Sequence, residues 1–260
     1  MKKALFFDID GTLLSFKTHA VPKSTFDALS AAKQRGHKLF IATGRPPMII
    51  NSVGELLNLF DGFVTTNGAY CFAGKNVICH HIIDKEMVKM FVDDAITHHY
   101  SCILVSDKDM AVICPTPIVH EIFELQLNIR TLNYTMPIED ILSQDILQIT
   151  SFFDAEYEKH LPLCNGKCNI GRWHPAFIDI TAPNIDKGEG ILAVAEHFGI
   201  SKEDTIAFGD GGNDAPMLMA AGIGVAMGNA SDETKAVADY VTTHIDDNGI
   251  FNALNHLNVI

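Results

Sequence analysis

Two aspartates stand directly after the apolar run Ala4–Phe7, in the string Asp8-Ile9-Asp10-Gly11-Thr12. In an extended chain, residues two apart point to one side, so both carboxylates face the same space. A second acidic string, Gly209-Asp210-Gly211-Gly212-Asn213-Asp214, follows the apolar residues 205–208. Two unit charges ~4 Å apart repel by about 4 kcal/mol at an effective dielectric of 20. Asp8, Asp10, Asp210 and Asp214 can therefore share one site only around a cation. No His or Cys accompanies them, which disfavours zinc. A hard divalent ion with oxygen ligands suits the cluster, and Mg²⁺ is the usual choice where phosphate shares the site.

The same sequence offers groups for an anion. Thr43 supplies a hydroxyl, Gly44 a bare backbone N–H, and Asn213 an amide. Lys187 opens a helical pattern, where the partial positive charge of a helix start adds to its own. Each has a plainer reading: Asp, Asn and Gly form turns, and Lys187-Gly188 reads equally as a solvated helix start.

What must position these groups is a set of buried strands. Residues 4–7, 39–42, 63–66, 205–208 and 223–226 are short apolar runs. Helical patterns at 22–35, 187–198, 215–221 and 232–238 separate them, and Pro46 suits the first turn of another helix. Strands alternating with helices argue a parallel sheet with helices on both faces. Such sheets bind ligands outside the carboxyl ends of their strands, where the polar strings fall. The middle of the chain reads differently. Helices at 85–98 and 118–127, a hairpin of 102–105 with 110–114, and strands at 147–153 and 176–180 suggest an α+β insert. The expected fold is α/β: a Rossmann-like parallel-sheet core of residues 1–82 and 184–260, with an inserted α+β domain at 83–183.

Composition narrows the function. The 260 residues are 47% hydrophobic and 20% charged, which suits a folded globular protein and excludes disorder or coiled coil. Lys+Arg of 19 against Asp+Glu of 32 gives a formal charge of −13, which repels nucleic-acid backbones. The apolar start at 4–7 imitates a signal peptide, but Asp8 and Asp10 interrupt it, and no run approaches the ~20 residues that cross a membrane. The six cysteines lack CxxC spacing and read as reduced thiols of a cytoplasmic protein. The pairs His80-His81 and His98-His99 read as surface residues, and the glycine spacing of 222–228 does not fit a dinucleotide loop.

Asp8-Ile9-Asp10-Gly11-Thr12, Thr43-Gly44-Arg45, Lys187-Gly188 and the string 209–214 together resemble, in order, the four motifs of the haloacid dehalogenase-like superfamily. Thr66-Asn67-Gly68-Ala69 and the segment 224–230 are similar to its Cof-type sugar-phosphatase branch, in which the insert is a cap. The resemblance implies an Mg²⁺-dependent phosphatase acting on a small phosphorylated metabolite such as a hexose phosphate. It implies Asp8 as nucleophile and Asp10 as general acid and base, with Mg²⁺ held by Asp8, the Asp10 carbonyl and Asp210. Phosphate binding falls to Thr43, Gly44, Lys187, Asn213 and the Ile9 backbone. Arg45, Asn67 and Asp214 are candidates for substrate contact or support, as are Arg172 and the lone Trp173 of the insert. A phosphomutase of the same superfamily and a phospho-Asp signalling module are the alternatives. Neither the physiological substrate nor the oligomeric state follows from the sequence.

Overall fold

The computed structural model describes residues 2–127, 129, 131–161 and 166–260, with Trp173 described by its backbone alone. In chain order the strands begin with β1 (Ala4–Phe7), β2 (Lys38–Ala42), β3 (Gly62–Thr65), β4 (Tyr70–Ala73) and β5 (Asn76–His80). Then come β6 (Cys102–Val105), β7 (Met110–Ile113), β8 (Gln148–Ser151), β9 (Asn169–His174) and β10 (Phe177–Thr181). The last are β11 (Thr205–Gly209), β12 (Ile223–Ala226) and β13 (Tyr240–Val241). Two compact units form: Met1–Arg45, Ile50–Cys79 and Asp186–Ile260 in the first, Pro46–Ile49 and His80–Ile185 in the second.

The first unit is built on one sheet of order β13-β12-β11-β1-β2-β3-β4-β5. The neighbours from β13 to β3 run parallel, and β4 returns antiparallel to β3. β1 lies in the middle and is buried along its length, as a strand covered on both faces must be. Its side chains alternate. Leu5 and Phe7 join one core with the helices Lys23–Gln34 and Gly249–His256, while Ala4 and Phe6 join the other with Lys187–His197 and Ala215–Ala220. Phe7 stacks on Phe208 and Phe6 on Phe40, each at 4.7 Å between ring centroids. Burying one such ring contributes about 1.5–3 kcal/mol, so the strand that carries the first acidic string is held firmly from both sides.

The second unit has its own antiparallel sheet, β7-β6-β8-β10-β9. Helix Lys85–His98 lays Met87, Val88, Phe91 and Ala95 in a core with Cys102, Leu104, Ile149, Ile178 and Ile180. Asp84 caps its start by accepting the Glu86 N–H, and His99 closes it in the left-handed region. On the opposite core, Phe123, Phe152 and Phe177 pack together. The architecture is the α/β core with a separate antiparallel sheet that the alternation of patterns predicts.

Several local expectations need correction. The predicted helix at 118–127 is a short turn Pro117–Val119 running into the wider π-type coil His120–Gln126. The helix predicted from Pro46 is a 3₁₀ run, Pro47–Leu59, broken at Gly54 with φ 57°. Thr66 leaves the predicted strand 63–66 and enters a turn. Strands β4, β5, β9 and β13 and the final helix Gly249–His256 are additions to the elements expected from the sequence. The reading of six reduced thiols holds at Cys71, Cys79, Cys102 and Cys114 but fails at Cys168, which is disulfide-bonded. Cys164 lies outside the described residues. A compartment argument from composition does not decide the state of one cysteine in a short turn segment.

Candidate active site

The polar strings converge because their strands are neighbours. β1 pairs with β11 on one side and β2 on the other, all parallel, so Asp8, Thr43 and Asp210 leave adjacent strands at the same edge. The Asp8 N–H continues the ladder by donating to the Phe208 carbonyl at 3.0 Å. Beyond it the chain turns sharply: the Leu13 and Leu14 N–H groups donate to the Ile9 carbonyl, and Gly11 takes φ 77°. A Cβ at Gly11 would lie 2.1 Å from Asp210 Oδ2, so glycine at this turn is what admits the second acid. The Ile9 side chain is buried in the core, leaving its backbone at the edge.

At the centre lies Lys187, only 1% exposed. It opens helix Lys187–His197, whose start is capped by Asp186 accepting the Glu189 N–H. Its Nζ donates to Asp8 Oδ1 at 2.8 Å and to Asp214 Oδ1 at 2.5 Å. Burial works against the charged ammonium, but Asp214 and Asp8 more than offset it and lift its pKa, so Lys187 stays protonated. Asp214 spends its other oxygen on two backbone donors, Asp210 N–H and Gly211 N–H, each at 2.9 Å. Three hydrogen bonds thus fix its carboxylate between the lysine and the loop.

Asp8, Asp210 and Asp214 each bring a carboxylate oxygen within 4.8 Å of the others. Burial first, then the neighbouring Asp214, pushes the Asp8 carboxyl well up, against the pull of Lys187. The same two causes push Asp210 up to about 7. One lysine does not neutralise this much negative charge. The donors are all oxygen, which fits a hard divalent cation rather than a soft metal. The acids are also held ready. Thr12 Oγ1 donates to Asp210 Oδ1 at 3.2 Å, and Asn229 Nδ2 donates to Asp210 Oδ2 at 3.1 Å.

Asp10 does not join Asp8 in the cluster as the two-residue spacing predicts, because the strand ends at Phe7 and the chain turns between Ile9 and Leu14. Arg45, 7% exposed, grips Asp10 in a two-pronged pair, Nε to Oδ2 and an Nη to Oδ1, both at 2.7 Å. Of the two readings open for Arg45, the contact seen is support. Thr43 Oγ1 accepts the Arg45 N–H at 3.1 Å, which folds the 43–45 loop on itself. Asn213 Nδ2 donates to Asn67 Oδ1 at 3.1 Å, and both amides lie against Gly44, where a Cβ would stand 3.1 Å from Asn67 Oδ1. All these residues lie in the first unit, in two hydrogen-bonded groups: Asp8, Lys187, Asp210 and Asp214 in one, and Asp10, Arg45, Thr43, Asn67 and Asn213 in the other, with Gly44 packed against the two amides.

Asn229 is a site residue that reasoning from the sequence left unassigned. It ties Asp210 and the Gly11 carbonyl together through Nδ2, and its Oδ1 accepts the Ile245 N–H. Its signal was its place just past the strand 223–226. Arg172, a candidate for substrate contact, belongs to the second unit and is engaged there. Its Nε pairs with Glu158 at 2.6 Å, and an Nη donates to the carbonyls of Phe153 and Pro175. The Trp173 side chain lies outside the described residues.

Comparison with known proteins agrees with this geometry. A family model described as haloacid dehalogenase-like hydrolase matches residues 5–254. The solved structure of the subclass IIB sugar phosphatase BT4131 is 47% identical, with a TM-score of 0.94 and full coverage of both chains. BT1666 from Bacteroides thetaiotaomicron is 34% identical with a TM-score of 0.87, covering 100% of this chain and 96% of that one. The pyridoxal phosphate phosphatase YbhA of Escherichia coli is 31% identical over 263 residues, 92% of each chain. Matched by that family model over residues 5–254 and at these identities along nearly its full length, the chain belongs to the haloacid dehalogenase-like hydrolases, as a phosphatase of the Cof type.

Proposed function

We propose that the protein hydrolyses small sugar phosphates, hexose phosphates in particular, through an aspartyl phosphate on Asp8 and with Mg²⁺ as cofactor. The observation that carries this reading is the buried contact of Lys187 with Asp8 beside Asp210. Phosphoryl transfer needs positioning and charge neutralisation above all. Lys187 neutralises charge on the nucleophile and on an incoming phosphoryl oxygen. Thr43, the Gly44 and Ile9 N–H groups and Asn213 surround the remaining oxygens. The ion would be held by Asp8, the Asp10 carbonyl and Asp210, and it supplies further positive charge to the phosphoryl group. Asp214 serves as support, holding Lys187 and the 210–211 backbone.

Asp8 Oδ attacks phosphorus, the bond to the leaving oxygen breaks, and Asp10 gives that oxygen a proton. Asp10 then takes a proton from the water that cleaves the acyl phosphate and frees inorganic phosphate. Arg45 takes one acceptor direction of each Asp10 oxygen and leaves the second lone pair of each for a proton. Replacing Asp10 by Asn is expected to slow both half-reactions by about 10²–10⁴. Single-turnover measurements of phosphoenzyme formation and decay check this; normal kinetics in both phases would remove Asp10 from the chemistry.

The second unit, Pro46–Ile49 with His80–Ile185, reads as the cap that selects the leaving group from a cytoplasmic pool of phosphoesters. Among the described residues no helix is long and apolar enough to cross a membrane. The sugar assignment follows BT4131, whereas the pyridoxal phosphate phosphatase YbhA marks the other substrate class to be tested. A panel of phosphomonoesters ranked by kcat/KM separates the two. Release of inorganic phosphate, rather than an isomeric sugar phosphate, separates the hydrolase from a mutase. Chelation with EDTA is expected to abolish turnover and added Mg²⁺ to restore it. Undiminished hydrolysis in excess EDTA would contradict the cation reading of Asp8 and Asp210.

A further inference from the structure

The turn between β3 and β4 is strained. Thr66 and Asn67 both adopt left-handed backbone, φ 49° and 51°, and Gly68 follows at 95°. For a β-branched residue such as threonine this is a genuine outlier. The Thr66 hydroxyl is also buried with no hydrogen-bond partner among the described residues. Such conformations persist only where the surroundings over-determine them. Here they do. The Thr66 N–H donates to the Arg45 carbonyl and the Asn67 N–H to the Thr43 carbonyl, both at 3.1 Å. Gly68 packs so tightly on the start of the Lys187 helix that a Cβ would lie 2.2 Å from the Asp186 carbonyl oxygen. Asn67 Oδ1 takes one N–H of Asn213. One short turn therefore touches the Thr43–Arg45 loop, Asn213 and the helix that carries Lys187, three pieces of chain far apart in sequence.

We propose that Asn67 is a positioning residue for the phosphoryl group, acting through Asn213. An asparagine amide has two N–H groups. With one directed at Asn67 Oδ1, the direction of the other is set before any ligand arrives. The backbone of the same turn holds the 43–45 loop, so the donors from two sides of the anion are fixed relative to each other. This inference rests on the phosphatase reading above. A contact made equally to bound ester, product phosphate and transition state lowers KM without raising kcat, so its loss shows mainly in KM.

Asn67→Gly tests it, because glycine adopts the left-handed backbone without steric cost while removing the amide. KM for a phosphomonoester and the inhibition constant for inorganic phosphate are both expected to rise about tenfold, with kcat within about twofold. Adding Asn67→Gly to Asn213→Ala should change these constants by no more than about twofold, since the amide acts through Asn213. A merely structural role would not produce that coupling. Asn67→Asp, close in shape, keeps an acceptor but brings negative charge toward the anion, so at pH 8 its KM should rise further than that of Asn67→Gly. Wild-type phosphate affinity in either Asn67 variant, or independent multiplication of the two effects, overturns the proposal. If the wild-type protein with Mg²⁺ neither hydrolyses a phosphomonoester nor binds inorganic phosphate, the phosphatase reading itself has failed, and this inference with it.

Discussion

Asp8→Asn is expected to reduce turnover by roughly 10⁴-fold or more, the scale seen when a covalent nucleophile is removed from an otherwise intact site. The amide is nearly the same shape as the carboxylate, so the site is not opened. It has no anionic oxygen to attack phosphorus, so no acyl phosphate forms. The same change is expected to leave the fold at least as stable as before. Asp8 is buried beside Asp214, and each raises the cost of the other's charge. Lys187 keeps its partner Asp214 when Asp8 loses its charge. In EDTA the variant should therefore melt no lower than the wild type. Loss of phosphate release with retained melting temperature supports the assignment. Wild-type turnover, with deamidation excluded by mass spectrometry, would refute it.

Lys187→Met is expected to damage both stability and function. Methionine is similar in length to the lysine stem, so little cavity results. What is lost is the ammonium that bridges Asp8 and Asp214, both buried. Breaking a buried ion pair from one side leaves uncompensated charge and costs about 3–5 kcal/mol. The sign of its pH dependence follows. Without the ammonium, the Asp8 carboxyl, already pushed up by burial and by Asp214, loses the charge that pulls it down and prefers the protonated form still more strongly than in the unfolded chain. Stability of the variant relative to wild type is thus greatest at acid pH, below the unfolded carboxylate pKa of about 3.9, and falls as pH rises through the raised folded value of Asp8. Urea unfolding at pH 5 and pH 8 checks this. The deficit should be larger at pH 8, and an unchanged midpoint there would contradict the central place given to this lysine. Activity should fall by at least about 10³-fold, because the phosphoryl oxygens lose a buried charge partner.

Much of the core was legible because its information is local. A strand covered on both faces announces itself as an apolar run, and β1, β2, β11 and β12 did so. Polar residues that end such runs mark the binding edge of a parallel sheet, and Asp8, Thr43 and Asp210 stand in those places. The short strands β4, β5 and β13 carry too few residues for a period to show. Pro46–Ile49 looked like part of the core helix pattern, yet it belongs to the second compact unit, a grouping made by contacts distant in the chain.

Residue chemistry by itself determined that acids, a hydroxyl, an amide and a lysine stand where strands end, and that such acids suit a hard cation. Tertiary structure alone decided who holds whom: Arg45 on Asp10, Asn67 on Asn213, Asn229 on Asp210, and Asp214 on Lys187. Spacing along the chain encodes which face of a strand or helix a side chain takes, because that depends on a few neighbouring dihedral angles. Which distant side chain meets it depends on how the strands are ordered and how closely glycines such as Gly11 and Gly68 let the loops approach, and that is settled only when the whole sheet has assembled.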